Sequence, residues 1–143
     1  MAGDEVGSLA LLPIRPRFAE LIISGEKKVE FRKTRFRHDV SHVVLYASRP
    51  VQKISAYFEV SGMCADSPEG LWARYHSVAG IKRTEFDAYY ASAGFGVAIE
   101  IGEVWPLPEP LPLSALDESL SPPQGFAYLD ADALSVIQAA ASQ

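Results

Sequence analysis

Gly25-Glu26-Lys27-Lys28-Val29-Glu30-Phe31-Arg32-Lys33 is the stretch that decides how this chain folds. Before it, Pro16 suits the first turn of a helix, and Phe18, Leu21 and Ile22 follow at helical spacing. Gly25 supplies the stop, because glycine takes the left-handed conformation that closes a helix. After it, Val29 and Phe31 alternate with Lys28, Glu30 and Arg32, the period of a half-buried strand. Glu30 and Arg32 are two apart on that strand and so share one face, with Lys27 at the turn just before it.

Working outward, Ser8 to Ile14 reads as a first strand, with Pro13 and Pro16 at its end. His42 to Ala47 is a β-branched and aromatic run, the pattern of a central strand, and Ser48-Arg49-Pro50 breaks it. Lys53 to Val60 alternates again and is expected to stop at Gly62. Ser67-Pro68-Glu69 starts a helix that presents Leu71, Trp72 and Tyr75. Thr84 is the expected N-cap of a second helix, through Phe86, Tyr89 and Tyr90. Gly96 to Val104 returns to strand alternation. Pro106, Pro108, Pro110 and Pro112 then make a stiff extended segment confined to a sheet edge. After a turn at Pro122-Pro123-Gln124-Gly125 come a short strand, Phe126 to Leu129, and a last helix, Asp130 to Ala141. Consecutive strands with few intervening helices predict an α+β fold, a small mixed β-barrel of five to six strands flanked by short helices. Residues 1–9 are expected to be a flexible N-terminus and 10–143 a single domain.

Net charge is −5 over 143 residues, which argues against a general polyanion binder. The average conceals an asymmetry. Residues 15–37 hold eight bases against three acids, whereas the remainder holds five bases against fifteen acids. No Lys or Arg follows Arg83. One cysteine, Cys64, excludes an internal disulfide, and three scattered histidines, His38, His42 and His76, offer no zinc cluster. No apolar run approaches the roughly 18 residues of a membrane span. Met1 to Glu5 is acidic, unlike the basic start of a signal peptide. The expectation is a cytoplasmic protein without metal or cofactor.

The candidate chemistry rests on Lys27, Glu30 and Arg32. A lysine provides a point charge for a phosphate or, when desolvated, a base. An arginine provides a planar fork for phosphate or carbonyl oxygens. A glutamate between them either accepts hydrogen bonds from a nucleobase amine or holds the two cations in place. The competing reading is a salt-bridge ladder on an exposed strand, worth under about 1 kcal/mol per pair.

The run Gly25-x-Lys27-x-x-Glu30-x-Arg32 resembles the G-x-K-x-x-E-x-R signature of the ASCH domain family, whose fold is a PUA-like β-barrel. Flanking segments extend the resemblance across roughly residues 10–130, among them Leu12-Pro13-Ile14-Arg15-Pro16, Val43 to Ser48, Gly80-Ile81, Ala98 to Gly102 and Pro123-Gln124-Gly125-Phe126. The resemblance implies binding of RNA or of a modified nucleotide or nucleoside in a basic cleft around the motif. The ligand-binding set it suggests is Arg15, Lys27, Glu30, Arg32, Tyr46, Ser48 and Arg49, with Phe31, Phe36 and Tyr46 as aromatics for a base to stack on. Some small relatives are hydrolases, either ribonucleases or amidohydrolases acting on acylated cytidine. For such an enzyme Lys27 is the catalytic base or acid, paired with Glu30 or with a later glutamate, Glu100 or Glu103. In the amidohydrolase branch a threonine stands where this chain has Glu30, a departure from that activity's pattern.

Overall fold

The structure, a computed structural model, describes residues 8–36 and 39–142. The expected flexible N-terminus lies outside them as far as residue 7, and Ser8 and Leu9 already belong to a strand. Arg37 and His38 also lie outside the described residues. In chain order the elements are β1 (Ser8–Ile14), α1 (Pro16–Ser24), β2 (Val29–Arg32), β3 (Val40–Ala47), β4 (Lys53–Asp66), α2 (Pro68–Tyr75), α3 (Arg83–Tyr89), β5 (Gly96–Leu111), β6 (Ala127–Leu129) and α4 (Ala131–Ala141).

The strands form one mixed six-stranded sheet in the order β2-β5-β4-β3-β1-β6. β1 runs parallel to β3, and every other pairing is antiparallel. The class is α+β, as expected. The sheet is open, because its edge strands, four residues in β2 and three in β6, form no ladder with each other.

Both faces of the central strands are covered, so β1 and β3 read as unbroken apolar runs. Their alternate residues feed two cores. Leu9, Leu11, Val44 and Tyr46 pack toward α4 with Ala133 and Ile137. Ala10, Leu12, Ile14, Val43 and Leu45 pack toward α1 with Ala19 and Ile22. A third cluster joins Val29 and Phe31 of β2 to Leu71, Tyr75, Phe86 and Tyr90 from α2 and α3. β2 is therefore buried on both sides, where the sequence suggested burial on one.

Three expectations are corrected. β4 does not stop at Gly62: it runs to Asp66, and Gly62 falls where the β4–β5 register shifts. A bulge absorbs the irregularity because β5 is long enough to pair on both sides of it. β5 does not end at Val104: it continues through the proline segment to Leu111, with Pro106 opposite Ala56, and the prolines run along an edge as expected. Prolines fit there because β2 pairs only with Val97 to Glu100, leaving the proline half of β5 bonded on one side. α3 is capped by Lys82 in extended conformation, and Thr84 lies inside its first turn.

Candidate functional site

Two tight turns place Lys27. Gly25 closes α1 at φ +89° and donates its N–H to the Ile22 carbonyl at 3.1 Å. The chain then doubles back, with the Lys27 N–H on the Leu21 carbonyl at 3.0 Å and the Lys28 N–H on the Val78 carbonyl at 2.9 Å. Opposite stands Gly80, at φ +62°, where an added Cβ would lie 2.6 Å from Lys27 Cβ. The lysine stem thus runs along bare backbone. Its Nζ donates to the Ala79 carbonyl at 2.6 Å and sits 5.2 Å and 5.5 Å from the centroids of the Phe18 and Phe31 rings.

Lys27 is only 1% exposed. Such a cation is tolerated because carbonyl, carboxylate and ring faces replace its hydration. The carboxylate is Glu30, 8% exposed, with Oε1 3.6 Å from Lys27 Nζ. Its other oxygen accepts from Arg32 Nε at 3.1 Å, and Arg32 Nη2 donates to the Pro13 carbonyl at 2.7 Å. Arg32 is fixed from behind as well, since the Tyr90 hydroxyl donates to its carbonyl at 2.8 Å. The result is a line of alternating donors and acceptors from Ala79 through Lys27, Glu30 and Arg32 to Pro13. It is a buried wall, unlike the exposed salt ladder. Burial pulls the Lys27 ammonium below its usual range, against the opposing pull of the Glu30 carboxylate.

This wall borders a cavity of about 220 Å³ between the start of α1, β2 and α3. Ile14, Arg15, Phe18, Ile81, Phe86 and Tyr89 complete most of the lining. Three lining bases, Arg15, Lys27 and Arg32, face two acids, Glu30 and Glu85. Glu85 is engaged by Arg17, whose hydrogen bonds hold its carboxyl below the usual range. Arg15, its side chain 70% exposed, stands at the rim with Nη1 4.0 Å from Glu85. The chamber is apolar on its ring side and cationic on its β2 side. That combination suits a flat heterocycle carrying an anionic group.

The ASCH domain family model matches residues 12–106. The chain belongs to the ASCH domain family. It is 27% identical to an ASCH domain-containing ribonuclease of Zymomonas mobilis over 124 residues, 84% of this chain and 83% of that protein. The crystal structure of ASCH from Zymomonas mobilis superposes with a TM-score of 0.84 at 24% identity, covering 92% of this chain and 94% of that one. A ribosomal protein uL22 of Ureaplasma parvum is 25% identical over 127 residues, 88% of this chain but only 40% of that protein.

In this ASCH domain the fold brings together Arg15, Lys27, Glu30 and Arg32, and Phe31 from the aromatic set. Tyr46, Ser48 and Arg49 do not line the cavity. Tyr46 follows the period of two onto the α4 side of the sheet, where it is 4% exposed among Leu9, Leu11 and Tyr57. Ser48 touches the region through backbone only, its N–H donating to the Ile14 carbonyl at 2.9 Å, and Arg49 is exposed. Phe36 packs against Phe126, away from the cavity. Neither later acid reaches it. Glu100 pairs with Val29 and so faces the α2 side, where it accepts from the Tyr75 hydroxyl at 2.6 Å. Glu103 lies on the α4 side near Tyr57.

Sequence reasoning missed the Ala79 and Pro13 carbonyls, Phe18, and the α3 wall of Phe86 and Tyr89. Backbone carbonyls leave no mark in side-chain identity. The Ala79-Gly80 pair just before a helix start was the available signal, since a glycine there is needed for close approach and for positive φ.

Proposed function

We propose that this ASCH domain binds single-stranded RNA at the Lys27–Glu30–Arg32 cavity and cleaves it there. The observation that carries the reading is Lys27, an amine buried to 1% exposure and held 3.6 Å from Glu30 on the cavity wall. A buried acid–base pair bordering a cavity is the usual sign of chemistry. The similarity to a protein named as a ribonuclease supports RNA as the substrate. The cavity's volume of about 220 Å³ suits one unstacked base, which single-stranded RNA can supply and a duplex cannot.

The cleavage is a transesterification. Glu30 accepts the proton of a ribose 2′-hydroxyl as that oxygen attacks the adjacent phosphorus. The bond from phosphorus to the 5′-oxygen breaks, and Lys27 donates a proton to the departing oxygen. The products are a 2′,3′-cyclic phosphate and a free 5′-hydroxyl. Arg32 faces the charge that builds on the phosphorane oxygens, with Nη1 unengaged among the described residues while Nε and Nη2 hold Glu30 and Pro13. Burial makes the Lys27 ammonium a stronger acid than a free lysine. Proton transfer from Glu30 back to Lys27 restores the pair, so no further reactant is needed. An acylated cytidine is the weaker candidate substrate, because Glu30 stands where the resemblance puts a threonine.

The test is incubation with 5′-labelled single-stranded RNA, with the same RNA carrying 2′-deoxyribose as control. The expected result is cleavage with cyclic phosphate ends, abolished by the deoxy substitution and slowed at least about 100-fold in Lys27→Met. Intact RNA, together with no binding of any oligonucleotide, removes the proposal.

A further inference from the structure

The cavity opens onto a second feature that the proposed chemistry does not use. Tyr89, on the cavity's α3 wall, is 37% exposed, and Phe95, six residues later in the chain, is 40% exposed. Both are large rings at water. Phe95 lies between Gly94 and Gly96, ahead of β5, where the third core cluster does not take it in. Each ring is met by a cation from the segment after β2. Lys33 Nζ lies 4.8 Å from the Tyr89 centroid, and Arg35 Cζ lies 5.5 Å from the Phe95 centroid. Lys33 and Arg35 are exposed, and no ion pair within 4.0 Å occupies either among the described residues. Arg35 also borders a second cavity, of about 370 Å³, together with Phe36, Met63 and Val97. Asp39 is the one acid on that lining.

Two exposed rings, each paired with an exposed cation and one of them on the wall of a cationic cavity, have the composition of a single-stranded nucleic-acid track. Bases stack on the rings whatever their identity, and the cations take the phosphates. The charge distribution fits the same occupant. The segment 15–37 carries most of the chain's bases, whereas the rest is strongly acidic, so an extended polyanion is accepted here and rejected elsewhere. An exposed apolar site for another protein would not call for a cation over each ring.

We infer that Lys33, Tyr89, Arg35 and Phe95 form an outer RNA subsite, which stacks and holds nucleotides flanking the one in the Lys27–Glu30–Arg32 cavity. The inference rests on the proposed RNA reading of that cavity and deepens it. The cavity performs the chemistry on one nucleotide, and the track sets how long an RNA must be to bind well. Base identity matters little on the track, because stacking on a ring and pairing of a cation with a phosphate are open to any base.

Length dependence tests it. Fluorescence anisotropy is measured with labelled single-stranded RNAs of two and ten nucleotides at two salt concentrations, and cleavage of the dinucleotide is followed in parallel. Wild type is expected to bind the ten-mer far more tightly than the dinucleotide, with a salt dependence that weakens when Arg35 is removed. Phe95→Ala with Arg35→Ala should lower ten-mer affinity about tenfold or more while dinucleotide cleavage stays within about twofold. Phe95→Trp should keep or raise ten-mer affinity. If the double variant binds the ten-mer as wild type does, the track is overturned and the cavity reading stands. If wild type binds neither RNA, both fall. Matching thermal melts of the variants keep the comparison free of folding effects, since both side chains are exposed.

Discussion

Glu30 and Glu100 stand on neighbouring strands, one residue out of step. In the β2–β5 ladder Glu30 is opposite Ile99 and Glu100 is opposite Val29. That single offset sends their side chains to opposite faces of the sheet. Glu30 lands between two cations, Lys27 and Arg32, on the wall of a cavity. Glu100 lands under α2, where a phenol donates to one oxygen and the backbone of Gly62 crowds the other. Both carboxylates are held, but by different partners. Glu30 is held by two cations on a cavity wall, one of them a lysine whose pKa burial lowers. Glu100 is held by the Tyr75 hydroxyl, whose pKa burial pushes up, so the phenol stays a neutral donor. A glutamate in a strand is thus assigned chemistry or architecture by its register and its partners, and residue type alone does not decide.

The largest expected effect breaks this comparison at its centre. Glu30→Gln removes the proton acceptor and should slow RNA cleavage at least about 100-fold. Glu100→Gln keeps an oxygen for Tyr75 and should leave the rate within about twofold. Single-turnover assays on one labelled RNA measure both. Equal losses in the two variants would mean that register does not separate their roles.

Gly80→Ala sharpens the comparison from the opposing backbone. An L side chain at φ +62° costs about 1–3 kcal/mol. Here the new methyl also meets the Lys27 stem 2.6 Å away. A stability loss of about 2 kcal/mol or more is expected in urea unfolding, with cleavage reduced in the fraction that remains folded. The Glu100 side shares no atom with Gly80, so the Tyr75–Glu100 hydrogen bond should persist. An unchanged melt would show that the lysine stem does not lean on this backbone.

Local signals carried much of this architecture. Pro16 and Gly25 bound α1, and Gly25 takes the left-handed conformation its position demanded. Ser67 accepts from the Gly70 N–H and Asp130 from the Ala133 N–H, so both caps follow from side chains that satisfy free helix donors. Glu30 and Arg32 do share a face, as their spacing required. What local pattern could not supply was tertiary. Tyr46 reads as well for either face of β3, and only the α4 packing shows which core receives it. Gly62 and Pro106 look like breakers, yet a long partner strand carries β4 past one bulge and an unpaired edge admits the proline. The cavity's far wall comes from residues 79–89, more than fifty positions from Lys27, and contributes carbonyls and rings whose sequence is that of an ordinary core helix.

The smallest expected effect concerns the charge on Lys27. Burial lowers its pKa in the folded chain, whereas the unfolded chain titrates at the ordinary lysine value near 10.5. Between those two values the unfolded chain holds a proton that the folded chain has released. Stability therefore rises with pH across that interval. Below the folded value the cost of burying the ammonium is carried in full, and above 10.5 it is gone. Lys27→Met has no such group, and its flexible apolar side chain fits along the Gly80 backbone. The variant should match or exceed wild type in stability near neutrality, and that advantage should be smaller at pH 10. Tyr75, Tyr89 and Tyr90, whose pKa values burial raises, also titrate at the alkaline end, but they are present in both proteins and cancel in the difference. Urea unfolding of the two proteins at pH 7 and pH 10 measures it. Parallel pH profiles would mean that the fold leaves the lysine's proton affinity unchanged, and the wall would then hold an ordinary cation in place of a tuned acid.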